Sequence, residues 1–158
     1  MPPRMPVRVI GVISDTHGLL RPAAKQALAG VDAIIHAGDI GTSAVLEELA
    51  ELAPLTAVRG NNDRGGWARR LKQVETLQLG TVAVYVVHDV HDLERKPLPN
   101  GFDVVVCGHS HRPDVTLREG VLYVNPGSAG PRRFSLPVAV GFLLIDSGTA
   151  RARIHPLL

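Results

Sequence analysis

The hydrophobic pattern of this chain consists of short apolar runs separated by turn residues, and each run predicts one buried strand. The clearest run, 104–107, holds three valines and a cysteine, and it ends at Gly108. By the same criterion we expect strands at 7–13, 31–37, 55–58, 75–79, 82–88, 104–107, 115–118, 121–125, 139–146 and 151–155. Glycines at the tight turns between several neighbouring runs predict hairpins, most clearly around Gly80, Gly120 and Gly148.

Two helices are predicted between the early strands. The first covers 22–29, with Pro22 in its first turn and Gly30 after its end. The second begins at Thr42 or Ser43 and runs to about Ala53. Residues 64–71 fit a loop or one helical turn, and 92–96 fit a helical turn. Strand–helix alternation followed by hairpins predicts an α/β fold of two sheets packed face to face, with helices outside. We expect one domain over residues 7–158 after a flexible segment at 1–6.

Composition narrows the class of protein. The chain has 158 residues, 45% of them hydrophobic and 20% charged, with a formal net charge of +2. The basic residues are scattered, so we do not expect a nucleic-acid polymer as partner. No apolar run could span a bilayer, and the first six residues lack the core of a signal peptide. With Cys107 as the single cysteine, these features predict a cytoplasmic protein without a membrane partner; they leave the oligomeric state open.

Metal-ligand residue types follow five of the predicted strands. They are Asp15, His17, Asp39, Asn61, His88, His109 and His111. Because residues two apart in extended backbone point to the same side, each Asp-x-His or His-x-His pair is expected to face one space beyond its strand. Each residue alone fits an ordinary turn or cap, but five such strand ends together indicate a site. His36 lies inside a strand pattern, so we interpret it as a core or supporting residue.

The residue types indicate the metal and the chemistry. Carboxylates, an amide oxygen and imidazoles without thiolate suit Mn, Zn, Fe, Ni or Co. Two such ions about 4 Å apart could clamp the attacking and leaving oxygens of a displacement at phosphorus, with a bridging hydroxide as nucleophile. Two divalent ions, two aspartates and one hydroxide leave a net positive centre, which favours an anionic substrate.

Five ordered motifs resemble those of the calcineurin-like metallophosphoesterases. The motifs are Asp15-Thr16-His17, Gly38-Asp39, Gly60-Asn61-Asn62-Asp63, His88 and Gly108-His109-Ser110-His111. The small size and the Asn125-Pro126-Gly127-Ser128 turn resemble the YfcE-type phosphodiesterases in particular. This resemblance implies a four-layer αββα sandwich and a dinuclear site. It further implies that Asp15, His17 and His111 hold one metal, that Asn61, His88 and His109 hold the other, and that Asp39 bridges them.

The chain departs from that pattern at two positions. Asn62 stands where the larger superfamily usually has histidine; asparagine can hydrogen-bond a phosphate but cannot protonate an alkoxide. We therefore expect a preference for good leaving groups. Asp89 stands where the family commonly has glycine, and His91 is either a substitute proton donor or an exposed loop residue. The pair Arg132 and Arg133 either contacts a phosphate or is only solvated.

These features predict a metal-dependent phosphodiesterase for small phosphodiesters, with manganese as the expected ion. A non-catalytic interaction scaffold of the same fold is the first alternative, since some relatives in trafficking complexes are of that kind. A nuclease is the second. The complete set of ligand positions argues against a scaffold, and the lack of a basic stripe or extra domain argues against a nuclease.

Overall fold

The structure, a computed structural model, describes residues 7–158, so the predicted flexible segment 1–6 lies outside the described residues. Its strands are β1 Arg8–Ile13, β2 Ala33–His36, β3 Leu55–Ala57, β4 Val74–Leu79, β5 Val82–Val87, β6 Val104–Val106, β7 Asp114–Arg118, β8 Val121–Asn125, β9 Ala139–Asp146 and β10 Thr149–Pro156. Its helices are α1 Pro22–Leu28, α2 Ser43–Leu52, α3 Gly66–Arg69 and α4 Asp92–Arg95. The ambiguous segment 64–71 therefore contains one short helix. Among residues 7–158, no helix is long and apolar enough to cross a membrane.

Two mixed five-stranded sheets form the fold, which confirms the predicted architecture. The first sheet has the strand order β10-β9-β1-β2-β3, and the second has the order β4-β5-β6-β8-β7. Strands β1, β2 and β3 run parallel, with Ile13 paired to His36 at the ends of β1 and β2. Strands β5, β6 and β8 also run parallel, with Val86 paired to Val106.

The main core lies between the two sheets. Val104 and Val106 of β6 are fully buried there, and Val12 of β1 belongs to the same cluster. Because neighbours along a strand face opposite sides, Val105 instead packs in a separate cluster on the outer face of the second sheet. Apolar residues at alternate positions thus hold the sheets face to face.

The outer layers differ in thickness. Leu28 of α1 and Leu49 of α2 are fully buried against the first sheet. The second sheet has a thinner cover, in which Leu93 of α4 and Phe102 pack against its outer cluster. The site faces the edge at which the carboxyl ends of the parallel strands of both sheets meet, because loops leaving parallel strands emerge on one side.

Candidate metal centre

The predicted ligand residues lie together at this edge, in two groups of three side chains. Within each group the ligand atoms all lie within 4.8 Å of one another. The first group is Asp15, His17 and His111, and the second is Asp39, His88 and His109. Asn61 adjoins the second group, because its Oδ1 lies 3.3 Å from Nδ1 of His109. The fold therefore gathers residues from strands of both sheets into one place.

The two aspartates lie between the groups. Asp39 Oδ2 is 3.3 Å from Nε2 of His88 and 3.8 Å from Nε2 of His17. Asp15 Oδ1 is 3.4 Å from Nε2 of His111 and 3.9 Å from Nε2 of His88. One oxygen of each carboxylate thus faces imidazoles of both groups.

The backbone at the site is left-handed, not extended. The φ angles are 55° at Asp15, 46° at His17, 54° at Asp39, 71° at His109 and 62° at His111. The expectation that extended backbone aligns the pairs was therefore wrong. Left-handed backbone costs about 1 to 2 kcal/mol for most side chains, and such strain concentrates at functional sites. His109 and His111 fall into different groups, whereas Asp15 and His17 fall into the same one.

Four buried atoms of the site have no hydrogen-bond partner among the described residues. They are Asp15 Oδ1, His17 Nε2, His88 Nε2 and His111 Nδ1. Buried polar atoms are almost always paired, so this cluster of unpaired donors and acceptors needs an explanation. Carboxylate oxygens and imidazole nitrogens are ligands of divalent transition metals, and the residues present therefore fit such ions.

Supporting hydrogen bonds orient the ligand atoms. Nδ1 of His88 donates to the carbonyl oxygen of Ala37 at 2.7 Å, which leaves Nε2 with its lone pair directed into the site. Asp15 Oδ2 accepts from the Ser14 hydroxyl at 2.7 Å and from the His109 amide at 3.0 Å. Oδ1 of Asp15 therefore remains available for a cation.

The electrostatics favour ionised carboxylates. Burial raises the pKa of Asp15, but the neighbouring imidazoles of His111 and His88 outweigh it, and the net pKa is lowered. Burial likewise opposes ionisation of Asp39, yet the neighbouring His88 imidazole and the hydrogen bond from the Asn62 amide hold its pKa well below the usual range. For His88, burial lowers the pKa, but Asp39 and Asp15 raise it further. Two carboxylates held ionised in a buried space attract cations.

His36 lies in the core behind the site, in neither group. Its Nδ1 accepts from the Gly38 amide at 3.1 Å, so Nε2 carries the proton and donates to Thr16 Oγ1 at 3.0 Å. The Thr16 hydroxyl donates onward to the carbonyl oxygen of Ile40 at 2.8 Å. Burial lowers the pKa of His36 to about 3, so this imidazole is neutral and links the loops after β1 and β2.

Sequence reasoning missed two positioning residues. Asp63 is 7% exposed, and its two carboxylate oxygens accept from the amides of Gly41 at 3.0 Å and Gly60 at 2.9 Å. Asn125 donates to the carbonyl oxygen of Gly108 at 2.9 Å. Both residues stand within the quoted motifs, which was the available signal, but only the structure shows which loops they join.

The departures from the family pattern lie beside the second group. The backbone amide and side-chain amide of Asn62 donate to Oδ1 of Asp39 at 2.9 Å and to Oδ2 at 3.0 Å. Asp89 Oδ2 lies 3.6 Å from Nε2 of His109, and Asp89 Oδ1 accepts from the His91 amide at 3.0 Å. The imidazole of His91 is exposed and pairs with the same oxygen at 3.1 Å. Asp89 thus adds a carboxylate next to a predicted ligand.

The predicted arginine pair lies on the surface. Both Arg132 and Arg133 are exposed, in the loop between β8 and β9. Arg132 Nε donates to the carbonyl oxygen of Leu136 at 3.2 Å. That bond ties the arginine to its own loop.

In sequence, the chain is similar to known phosphoesterases. A calcineurin-like phosphoesterase superfamily domain matches residues 9–148. A probable metallophosphoesterase of Methanothermobacter thermautotrophicus is 36% identical over 157 residues, covering 92% of this chain and 91% of that protein. The phosphodiesterase MJ0936 of Methanocaldococcus jannaschii is 28% identical over 137 residues, covering 75% of this chain and 82% of that protein.

Solved structures share the fold. YfcE, a phosphoesterase from E. coli, has a TM-score of 0.68 at 24% identity, covering 86% of this chain and 90% of its own. Vacuolar protein sorting 29 from Cryptosporidium parvum has a TM-score of 0.77 at 16% identity, covering 95% of this chain and 97% of its own. At such identities the likeness shows the fold alone. Membership in the family rests on the match to the family's domain over residues 9–148 and on the M. thermautotrophicus relative. The chain belongs to the calcineurin-like phosphoesterase superfamily.

Proposed function

We propose that this protein is a metal-dependent phosphodiesterase that hydrolyses small phosphodiesters at a centre of two divalent ions. One observation carries the proposal: four buried ligand atoms, one carboxylate oxygen of Asp15 and three imidazole nitrogens, have no partner, and they lie together with Asp39, whose pKa is lowered like that of Asp15. A scaffold would have no reason to keep unpaired polar atoms in its interior, because each costs about 1 to 3 kcal/mol. The name of the M. jannaschii relative supports a diester as substrate.

The side-chain positions support a division of the ligands between two ions. Asp15, His17 and His111 would hold one ion, and Asn61, His88 and His109 would hold the other. Asp39 would bridge them, since its Oδ2 lies between Nε2 of His17 and Nε2 of His88. The donor set favours manganese, with zinc, iron, nickel or cobalt as alternatives.

The chain's residues would bind and orient the substrate. When bound, two divalent ions supply Lewis-acid activation of the phosphate ester and of water. Asp15 and Asp39 offset only part of the ionic charge, so the centre attracts an anion. The side-chain amide of Asn62 offers no titratable proton for the leaving group, which favours diesters with acidic alcohols such as phenols.

Metal reconstitution tests the proposal. Protein stripped of metal would be supplied in turn with manganese, zinc, iron, nickel and cobalt. Each form would be assayed with bis(4-nitrophenyl) phosphate and, separately, with 4-nitrophenyl phosphate. We expect turnover of the diester with manganese, slower turnover of the monoester, and about two bound ions per chain by elemental analysis. No turnover with any of these ions, together with empty sites, would refute the enzyme and favour an interaction role.

Ligand variants give the matched comparison. Asp39→Asn and His111→Gln remove a ligand atom at nearly constant volume, and each should reduce diester hydrolysis by about 100-fold or more. His155→Gln is the control, because His155 packs against Phe142 in the first sheet and belongs to neither group. Equal activity of all three variants would refute the site.

A further inference from the structure

A cavity of about 1030 Å³ opens beside the second group of ligand residues. Asn61, His88 and His109 form part of its wall. The loop and helix at 59–69 and the segment 85–96 contribute much of the rest. A phosphodiester bound at the centre has two ester arms, and one of them would extend into this cavity. The side chains that line the cavity therefore affect which ester arm can bind.

Part of the wall suits a flat apolar ring. Val87 and Leu93 line the cavity, together with Tyr85. Tyr85 is only 4% exposed, and its ring packs edge-on against Phe102 at a centroid distance of 5.2 Å. No residue from 7 to 158 hydrogen-bonds the Tyr85 hydroxyl. Burial and the nearby Asp92 raise the pKa of Tyr85, so the hydroxyl stays protonated and can donate to a ligand.

The cavity also carries unpaired positive charge. Its lining includes five cationic side chains: Arg59, Arg64, Arg69, Arg95 and Lys96. Within the described part of the chain, none of the five forms an ion pair or a side-chain hydrogen bond. Three aspartates, Asp63, Asp89 and Asp92, share the lining, so cationic side chains outnumber carboxylates there. An anion entering the cavity would therefore meet a net positive lining whose cations form no ion pair.

We propose that this cavity selects phosphodiesters in which one arm carries an aromatic ring and a second phosphate, as a phosphorylated nucleoside does. The inference rests on the proposed function, because the scissile phosphate has to lie at the centre for one arm to reach the cavity. The ring would pack on the apolar wall with the Tyr85 hydroxyl as donor, and the second phosphate would meet the arginines. Arginine suits this role, since its planar fork binds phosphate through two hydrogen bonds.

A matched substrate pair tests the selection. Thymidine 5′-(4-nitrophenyl phosphate) would be compared with the same compound bearing a 3′-phosphate. Both release 4-nitrophenol from the same diester, so only the arm differs. We expect kcat/KM with manganese to be about tenfold higher for the 3′-phosphorylated compound. Equal kcat/KM for the two compounds would overturn the proposal.

Two neighbouring arginines supply the variant and its control. Arg69 lines the cavity, whereas Arg70, which is also exposed, does not. Arg69→Gln and Arg95→Gln should each reduce the preference for the 3′-phosphate about threefold to tenfold, and Arg70→Gln should leave it unchanged. If Arg69→Gln and Arg70→Gln lose the preference for the 3′-phosphate equally, the effect comes from general surface charge. That result would overturn the proposal that the cavity causes it.

Binding measurements separate this inference from the proposed function. Calorimetric titration of metal-free protein would compare thymidine 3′,5′-bisphosphate with thymidine 5′-monophosphate, and no turnover is needed. We expect tighter binding of the bisphosphate, lost in Arg69→Gln, and weaker binding of both ligands by Tyr85→Phe. Equal affinities would overturn the cavity proposal even if simple diesters are hydrolysed. Retained selectivity in a protein that hydrolyses no diester with any of the five metal ions would support the cavity and refute the enzyme.

Discussion

Asn62 holds both carboxylate oxygens of Asp39. Its backbone amide donates to Oδ1 at 2.9 Å and its side-chain amide to Oδ2 at 3.0 Å. Asp39 is 3% exposed, and the same Oδ2 faces Nε2 of His88 at 3.3 Å. Asn62 therefore orients the carboxylate that lies between the two ligand groups. An amide can do this, but it cannot supply a proton to a leaving group.

Replacement of Asn62 by histidine should change the dependence of rate on the leaving group. If the proposed activity holds, we expect the unmodified protein to hydrolyse methyl 4-nitrophenyl phosphate far faster than methyl phenyl phosphate, because phenolate leaves poorly without a proton donor. Asn62→His should raise the relative rate of the phenyl ester by at least about tenfold, since general acid catalysis contributes about 10² to 10⁴. The ratio of the two kcat values measures this effect.

Asn62→Ala is the control for that experiment. It removes the side-chain hydrogen bond to Asp39 without adding an acid, so both esters should slow by a similar factor. The same ratio of kcat values in the histidine and alanine variants would show that Asn62 matters only for orienting Asp39.

Gly60 should not tolerate a side chain. A Cβ at this position would overlap the backbone nitrogen and Oδ1 of Asp39, and it would lie 2.9 Å from the Asp39 Cα. We expect Gly60→Ala to lower the free energy of unfolding by about 1 to 3 kcal/mol and to reduce the number of bound ions. Gly66→Ala is the matched control, because the added Cβ would meet no atom within 4 Å beyond its chain neighbours and the backbone of its own helix. Urea denaturation and elemental analysis of both variants measure the two effects, and equal results would contradict the prediction.

The strands and the ligand residue types were predictable because both are local in sequence. Apolar runs bounded by glycine located strands such as β6, and the polar residue after each strand marked the site edge. Parallel strands bring their carboxyl ends together whatever the loop details. For this reason the gathering of Asp15, Asp39 and His111 followed from the strand pattern.

Backbone geometry and supporting contacts were not predictable in this way. Asp15 has a left-handed φ of 55°, and its side chain is held by residues far away in sequence, including the amide of His109 on its Oδ2. By sequence, Asp63 fits an ordinary turn residue, and only the structure shows its hydrogen bond from the Gly41 amide. The cavity wall contains Arg69 and Arg95, whose helices are too short to leave a periodic signal.

Asp89 should strengthen metal binding at the second group. Its Oδ2 lies 3.6 Å from Nε2 of His109. Burial raises the pKa of Asp89, but hydrogen bonds from His91 outweigh it, so the net pKa is lowered and the carboxylate is ionised at neutral pH. A negative charge beside a ligand favours a bound cation. We expect Asp89→Asn, which removes the charge at constant volume, to raise the manganese concentration for half-maximal activity about threefold to tenfold.

The Asp89 prediction has a control on the opposite sheet. Asp146 lies at the end of β9, in neither ligand group, so Asp146→Asn removes the same charge elsewhere. The manganese dependence should be unchanged in that variant. An unchanged dependence in Asp89→Asn as well would show that the charge is screened from the centre.

His36 should make the metal-free protein less stable in mild acid. Burial lowers its pKa to about 3 from an ordinary value of 6.5, so the unfolded chain binds a proton that the folded protein resists. The free energy of unfolding therefore keeps its full value above about pH 6.5. It falls as the pH drops towards 3, by about 3 kcal/mol at pH 4. The raised pKa of His88 acts in the opposite direction, because its contribution is lost as the pH rises. The pKa values of Asp15 and Asp39 are lowered, so these carboxylates stabilise the folded protein at neutral pH. That stabilisation is lost mainly below about pH 4.

The glutamine variant isolates the His36 contribution. In His36→Gln the side-chain oxygen can accept from Gly38 and the amide can donate to Thr16, without a titratable group. Urea denaturation of both proteins between pH 7 and pH 4, with chelator present, should give a smaller loss of stability in the variant. If the two proteins lose stability in parallel, the proton is taken up elsewhere and the neutral His36 is not the cause.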